Sequence, residues 1–319
     1  MTDFVSDLYE ALISQYLARP EADQEPYYSV SDSLRLYADS LWSDTGEANK
    51  AVQRLLSSGR GEAMDAMGQQ WDKVMNKDVG STTAVARMSA VTAYELGEII
   101  AVAKAEITEV AASCAVSTGA RLAGGALVFG VADDVVATAV AQAQALALKV
   151  VARCQKLVVA KLGRLQQDPA VAALGSVAAD LAAAIGGQAR DGAADAGTGR
   201  AWGKGLASGS GRAAEGVHVD HAEHERAAKR LREVADEVFG TTSTTLRKAV
   251  HDHATGAQSG ALGAAIAATF GTVLDDLTQA TKAIGDYLED TLPAGILLIS
   301  SSQQSTDDDV RRRMSELDR

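Results

Sequence analysis

The residues best suited to chemistry are five histidines, all between 218 and 253: His218, His221 and His224 at steps of three, then His251 and His253 on either side of Asp252. Residues three apart share a helix face, so His221 and His224 could hold one metal ion while His218 drifts away from it. In His224-Glu225-Arg226-Ala227-Ala228, Ala228 stands where an HExxH zinc site needs its second histidine, which excludes that hydrolase class. With Asp220, Glu223 and Glu225 interleaved, the expectation is a hydrated polar helix start.

Other constellations fail on spacing. Gly197 and Gly203-Lys204 suggest a phosphate loop, but five residues separate the glycines instead of four, and Gly205 replaces the magnesium-binding hydroxyl. Asp133-Asp134, Asp275-Asp276, Glu289-Asp290 and the Asp307 triplet are paired acids of the kind an acidic chain scatters over solvated faces. None forms a Ser-His-Asp or Cys-His order. Cys114 and Cys154, the only cysteines, have no CxxC spacing and read as small buried hydrophobes, with a bridge open in an oxidising compartment. The expectation is therefore a chain without catalytic residues, cofactor, metal site or small-molecule substrate.

What elements hold these residues follows from composition. Of 319 residues only four are proline, and both 27–168 and 170–292 are free of it, so long helices are permitted. A hydrophobic content of 47% with 4% aromatic requires a core of Ala, Val, Leu and Ile, suited to closely approaching helices. The net charge of -12 argues against nucleic-acid binding. Asp3, Asp7 and Glu10 fall where a signal peptide wants a basic start and an apolar run. The apolar stretches 122–132 and 135–148, split by Asp133 and Asp134, each fall short of the roughly 18 residues that span a bilayer.

Periodicity predicts a first helix from about 3 to Arg19, then a loop with Pro20, Pro26 and Tyr28. A second helix runs from Ser31 to Ser57, and the turn Ser58-Gly59-Arg60-Gly61 follows. Met64, Met67, Trp71 and Val74 form the apolar stripe of a third helix, interrupted at Val79-Gly80. Leu96, Ile99, Ala103, Ile107 and Val110 continue at intervals of three and four, as in a bundle or coiled coil. Helices from 133 to 167 and from Asp168-Pro169 to Gly186 come next, and the glycine-dense 186–216, with Trp202, reads as a flexible linker. Beyond it, helices are expected over 217–238, 242–255, 260–290 and 304–317, with breaks at Gly240, Thr255-Gly256 and Pro293, and a capping box from Thr306 to Asp309. The expected domains are a long-helix bundle over 1–185, the linker over 186–216 and a small helical bundle over 217–319.

The segment Leu55-Leu56-Ser57-Ser58-Gly59-Arg60-Gly61-Glu62-Ala63-Met64-Asp65-Ala66-Met67, closing at Trp71, resembles the turn of WXG-type proteins of the type VII (ESX) secretion system. It is most similar to the helical N-terminal regions of actinobacterial ESX-exported toxins and channel-forming proteins. Gly61, Ala63, Ala66 and Trp71 match that pattern, and Gly59 stands where the family has Trp. A second resemblance covers 217–319, where Gly260-Ala261-Leu262-Gly263, Phe270, Leu274, Leu277, Ile284 and Leu288 look like the small ESX secretion-associated proteins.

The resemblance implies antiparallel helical hairpins in which Gly61, Ala63, Trp71, Leu96 and Ile99 meet a helix of the same chain, a second copy or a WXG-type partner. It implies export without a signal peptide, with the chain cytoplasmic beforehand. The family's Tyr-x-x-x-Asp/Glu export signal has two candidates, Tyr28 with Asp32 and Tyr94 with Glu98. Two other readings stand beside this one. In the first, a membrane-active helical protein inserts 122–132; in the second, a structural helical protein has no link to secretion.

Overall fold

The structure, a computed structural model, describes residues 2–17, 23–123, 131–194, 220–258 and 260–317. The protein is all-α, with no strand among the described residues. Helix α1 spans Thr2–Ala11, α2 Glu25–Ser58, α3 Glu62–Lys73, α4 Gly80–Ala123, α5 Val131–Gln166 and α6 Pro169–Ala194. The last four are α7 His221–Glu237, α8 Ser243–Ala257, α9 Gly260–Asp286 and α10 Leu292–Leu317.

Four wider, π-helical turns punctuate this order: Leu12–Tyr16 after α1, Val74–Val79 between α3 and α4, Val238–Thr242 between α7 and α8, and Tyr287–Thr291 between α9 and α10. Three of them lie at or beside predicted breaks. Val79-Gly80, Gly240 and Pro293 do not end helices; each lies in or next to a turn that takes one extra residue and lets the helix go on. Pro293 is tolerated because it sits in the first turn of α10, directly after such a turn, where its missing N–H has least to lose. The predicted gap over 291–303 is therefore helical, and Thr306 lies inside α10, where no N-cap is needed.

Several other boundaries differ from expectation. Helix α2 starts at Glu25, not Ser31, because Pro26 occupies its first turn, where proline is favoured. Tyr28 is therefore helical and not in a loop. Helix α6 passes Gly186-Gly187 and ends at Ala194, so the first residues assigned to the linker are helical. The rest of that segment, 195–216 with Trp202, lies outside the described residues, as do His218 and residues 124–130 of the apolar stretch 122–132.

The described chain forms two compact units, neither of which follows the predicted contiguous domains. One comprises 1–32, 89–167 and 248–272, the other 33–88, 168–247 and 273–319. Each takes residues from both sides of the predicted linker, because helical periodicity tells which face of a helix is buried and not which helix covers it.

In the first unit, α4 and α5 run antiparallel. Glu95 meets Lys161 at 2.7 Å, Glu106 meets Arg153, and the Cys114 thiol donates to the Ala139 carbonyl at 3.3 Å. Helix α1 and its π turn lay Leu8, Leu12 and Leu17 against Ile107, Ala111 and Ala115 of α4 and Ala143 and Ala147 of α5. Alanine at those positions lets the three helices approach closely. The two free thiols contact different ends of this pair, since the α5 positions Ala139 and Cys154 are fifteen residues, or about 22 Å of helix, apart. They do not bridge, and burial pushes both thiol pKa values up.

Candidate functional site

In the second unit the turn resembling the WXG motif closes a helical hairpin. Gly61 has φ of 135°, a region closed to residues with a side chain, and directly precedes α3. Its carbonyl accepts the backbone N–H groups of Met64 and Asp65 at 3.0 and 3.1 Å. Trp71 then reaches across to α2: its ring is fully buried and its Nε1 donates to Asn49 Oδ1 at 2.8 Å. Further along, Arg87 pairs with Asp39 at 3.1 Å. The pairs 49–71 and 39–87 centre on the Gly61 turn, as antiparallel helices require. Met64 and Met67 share the Trp71 face, with Val52 and Leu55 buried on α2. Ala63 and Gly61 are half-buried. The turn lacks the family's tryptophan at Gly59, and in this unit Trp71 supplies the aromatic contact across the hairpin.

The other face of this hairpin is covered by helices from 221–317. Tyr37, fully buried on α2, shares a 2.5 Å hydrogen bond with Thr281 of α9. Thr242 donates to Asp44 at 2.6 Å, and Arg230 of α7 approaches Glu47 at 3.8 Å. These covering helices also run antiparallel. His221 Nδ1 lies 2.6 Å from Ser300 Oγ at one end, and the Phe239 ring fills the space where a Cβ on Gly285 would stand at the other. Leu231, Val234, Ala235, Leu277, Ile284, Leu288 and Ile296 are buried here.

The histidines are dispersed. His224 is fully buried and not part of a hydrated helix start; its Nδ1 lies 2.8 Å from the Asp220 carbonyl, which can only accept, so this nitrogen carries the hydrogen. Glu223 is buried too, with Arg226 at 2.8 Å. Burial follows the stripe Glu223, Ala227, Leu231 and Val234, which turns the start of α7 inward. His221 is engaged with Ser300 instead of sharing a metal with His224. His253, in the first unit, faces Phe270 at 5.4 Å between ring centres. Among the described residues no three His, Cys, Asp or Glu side chains gather as a metal site.

One acidic group missed in the sequence is Asp78, in the π turn after α3. It is 1% exposed, and its Oδ1 has no hydrogen-bond partner among the described residues. Burial raises its pKa, and Asp180 adds to the rise while Lys77 and Lys73 oppose it. Tyr287, of the π turn after α9, is buried and feels the Asp78 charge. The signal available in sequence was an acid on the line of Trp71 and Val74, one turn on.

The two export-signal candidates lie together in the first unit. The Tyr28 hydroxyl donates to Glu98 Oε1 at 2.7 Å, and the rings of Tyr28 and Tyr94 are 5.4 Å apart. Gly97 makes this possible: a Cβ there would lie 2.7 Å from the Tyr28 ring. Asp32 and Glu98 are exposed, and Tyr94 is 46% exposed. In the same unit Leu96 is fully buried and Ile99 half-buried.

Helix α5 departs most from the expected burial pattern. From Asp134 to Gln166 it is long and apolar enough to cross a membrane, with a mean hydropathy of 1.6 over its best window, only 11% of which is buried. The sequence reading stopped at Lys149, but Val150, Val151 and Ala152 resume the apolar run beyond it. No known protein family, curated protein or solved structure matches the chain.

Proposed function

We propose that the chain is a non-catalytic export and partner-binding protein of a type VII (ESX) secretion system, whose WXG-like hairpin is paired in cis with helices of 221–317. The observation that carries this reading is the covering of the Trp71 hairpin by a second antiparallel helix pair, through Tyr37–Thr281, Asp44–Thr242 and Glu47–Arg230. A WXG-type hairpin presents an apolar face that needs another hairpin, and here the same chain supplies one. The resemblance of 217–319 to secretion-associated proteins supports the same assignment.

Export from an actinobacterial host with and without a working ESX ATPase tests the proposal. Appearance of the tagged chain in the culture filtrate, lost in the ATPase-null strain, supports it. Equal amounts in both filtrates, or none in either, overturns it. Migration as a monomer, with no WXG-type chain co-purifying, is the expected result for pairing in cis.

A further inference from the structure

Helix α5 is apolar on two sides. Ala139, Ala143, Ala147, Cys154, Val158 and Leu162 are buried, as one face of a packed helix should be. The opposite face is also apolar: Ala141, Ala145, Leu148, Ala152 and Val159 follow at steps of four, three, four and seven, and all are exposed. Leu148 and Val159 are 58% and 62% exposed, and Leu146 and Leu157 on the flank are about half exposed. An apolar helix of this length is ordinarily covered on all sides.

Charge selects what covers it. Between 149 and 166 the helix carries Lys149, Arg153, Lys156, Lys161 and Arg164 and no acid, in a chain whose net charge is -12. Arg153 and Lys161 turn toward α4 and pair with Glu106 and Glu95. Lys149 and Lys156, seven residues apart and exposed, border the stripe along one edge with no ion pair among the described residues. A second copy docked about a two-fold axis near Ala152 would set Lys149 against its neighbour's Lys156, like charge on like. A surface both apolar in depth and negative at its boundary matches both features, and an anionic lipid bilayer has that profile.

We propose that the outward face of α5 binds the surface of an anionic lipid bilayer, lying in its plane with Leu148, Ala152 and Val159 in the acyl boundary and Lys149 and Lys156 among the headgroups. The cations at 153, 156 and 161 suit a helix lying in the interface better than one crossing the hydrocarbon. This inference is independent of the secretion reading and differs from insertion of 122–132, because the lipid contact is assigned to a helix already formed and exposed.

Flotation of the full chain with vesicles of phosphatidylcholine alone, and of phosphatidylcholine with phosphatidylglycerol, tests it. Binding to the anionic vesicles is expected, weakening as salt is raised, with little binding to the neutral ones. Leu148→Glu with Val159→Glu should lower binding about tenfold or more, as should Lys149→Glu with Lys156→Glu. All four sites are exposed, and an unchanged far-ultraviolet circular dichroism spectrum checks that the fold is kept. Absence of flotation with anionic vesicles overturns the proposal, as does equal flotation of the parent and both double variants. A dimer seen by light scattering that Leu148→Glu with Val159→Glu dissociates would assign the face to a second copy and overturn it too.

Discussion

The phenol of Tyr28 and the carboxylate of Glu98 are joined at 2.7 Å across seventy residues of sequence, so each Tyr-x-x-x-acid segment supplies one half of the bond. Tyr94 stacks obliquely on the Tyr28 ring beside them.

This bond has a spectroscopic signature. Burial, and then the Glu98 carboxylate, push the Tyr28 pKa up to about 12 from 10.0. A raised value means the contact's stability is complete below pH 10 and lost as pH climbs through the folded value. Ultraviolet titration should find a late-ionising tyrosine, moved to lower pH by Glu98→Gln. An unchanged titration in that variant would remove Glu98 as its partner.

Trp71 predicts a stability contrast. Trp71→Ala should cost roughly 3 to 5 kcal/mol, seen as a lower urea midpoint, because the ring is fully buried. Asn49→Ala should cost about 1 to 3 kcal/mol by leaving the indole N–H unpaired. Trp42, 51% exposed, should tolerate alanine within about 0.5 kcal/mol. Equal midpoints for Trp71→Ala and Trp42→Ala would contradict the hairpin packing.

Asp78 predicts a pH dependence. Its folded pKa is raised above the model value of 3.8, so its contribution to stability is greatest below that value and declines as pH rises through the folded one. Asp78→Asn should therefore stabilise the chain at neutral pH by about 1 kcal/mol and flatten the slope of melting temperature above pH 4. A variant less stable than the parent at neutral pH would show that the carboxylate is needed in its charged form.

Two glycines on either side of the same hairpin should respond in opposite directions. Gly61→Ala forces a side chain into φ of 135° and should cost about 1 to 3 kcal/mol. Gly46, inside α2 with open space around it, should gain about 0.5 to 1 kcal/mol on replacement by alanine. Chemical denaturation of the two variants reads both signs at once.

The all-α class was legible because it rests on properties every local window carries: scarce proline, abundant alanine and apolar positions at three and four. The burial of Trp71, Met64 and Met67 was legible for the same reason. Gly80, Gly240 and Pro293 misled because a residue that weakens a helix can be housed in a widened turn as well as in a loop, and only the packing on either side decides which. Tyr28 with Glu98 and Tyr37 with Thr281 were invisible, since helical spacing links residues a turn apart and these are separated by 70 and 244 positions. The bare face of α5 was missed because an apolar helix reads the same whether protein, lipid or water surrounds it.

The π turn at Val74–Val79 acts as a phase shifter. One extra residue there sets the angular frame in which Thr82, Val85 and Ala86 meet the interior, so length at this point matters more than side-chain identity. Excising the single exposed residue Asn76 would restore an unbroken α-helix and swing everything after it by about 100°, turning Ala84 and Arg87 toward the core. A gap of one residue, harmless in a surface loop, would here be more damaging than most replacements nearby.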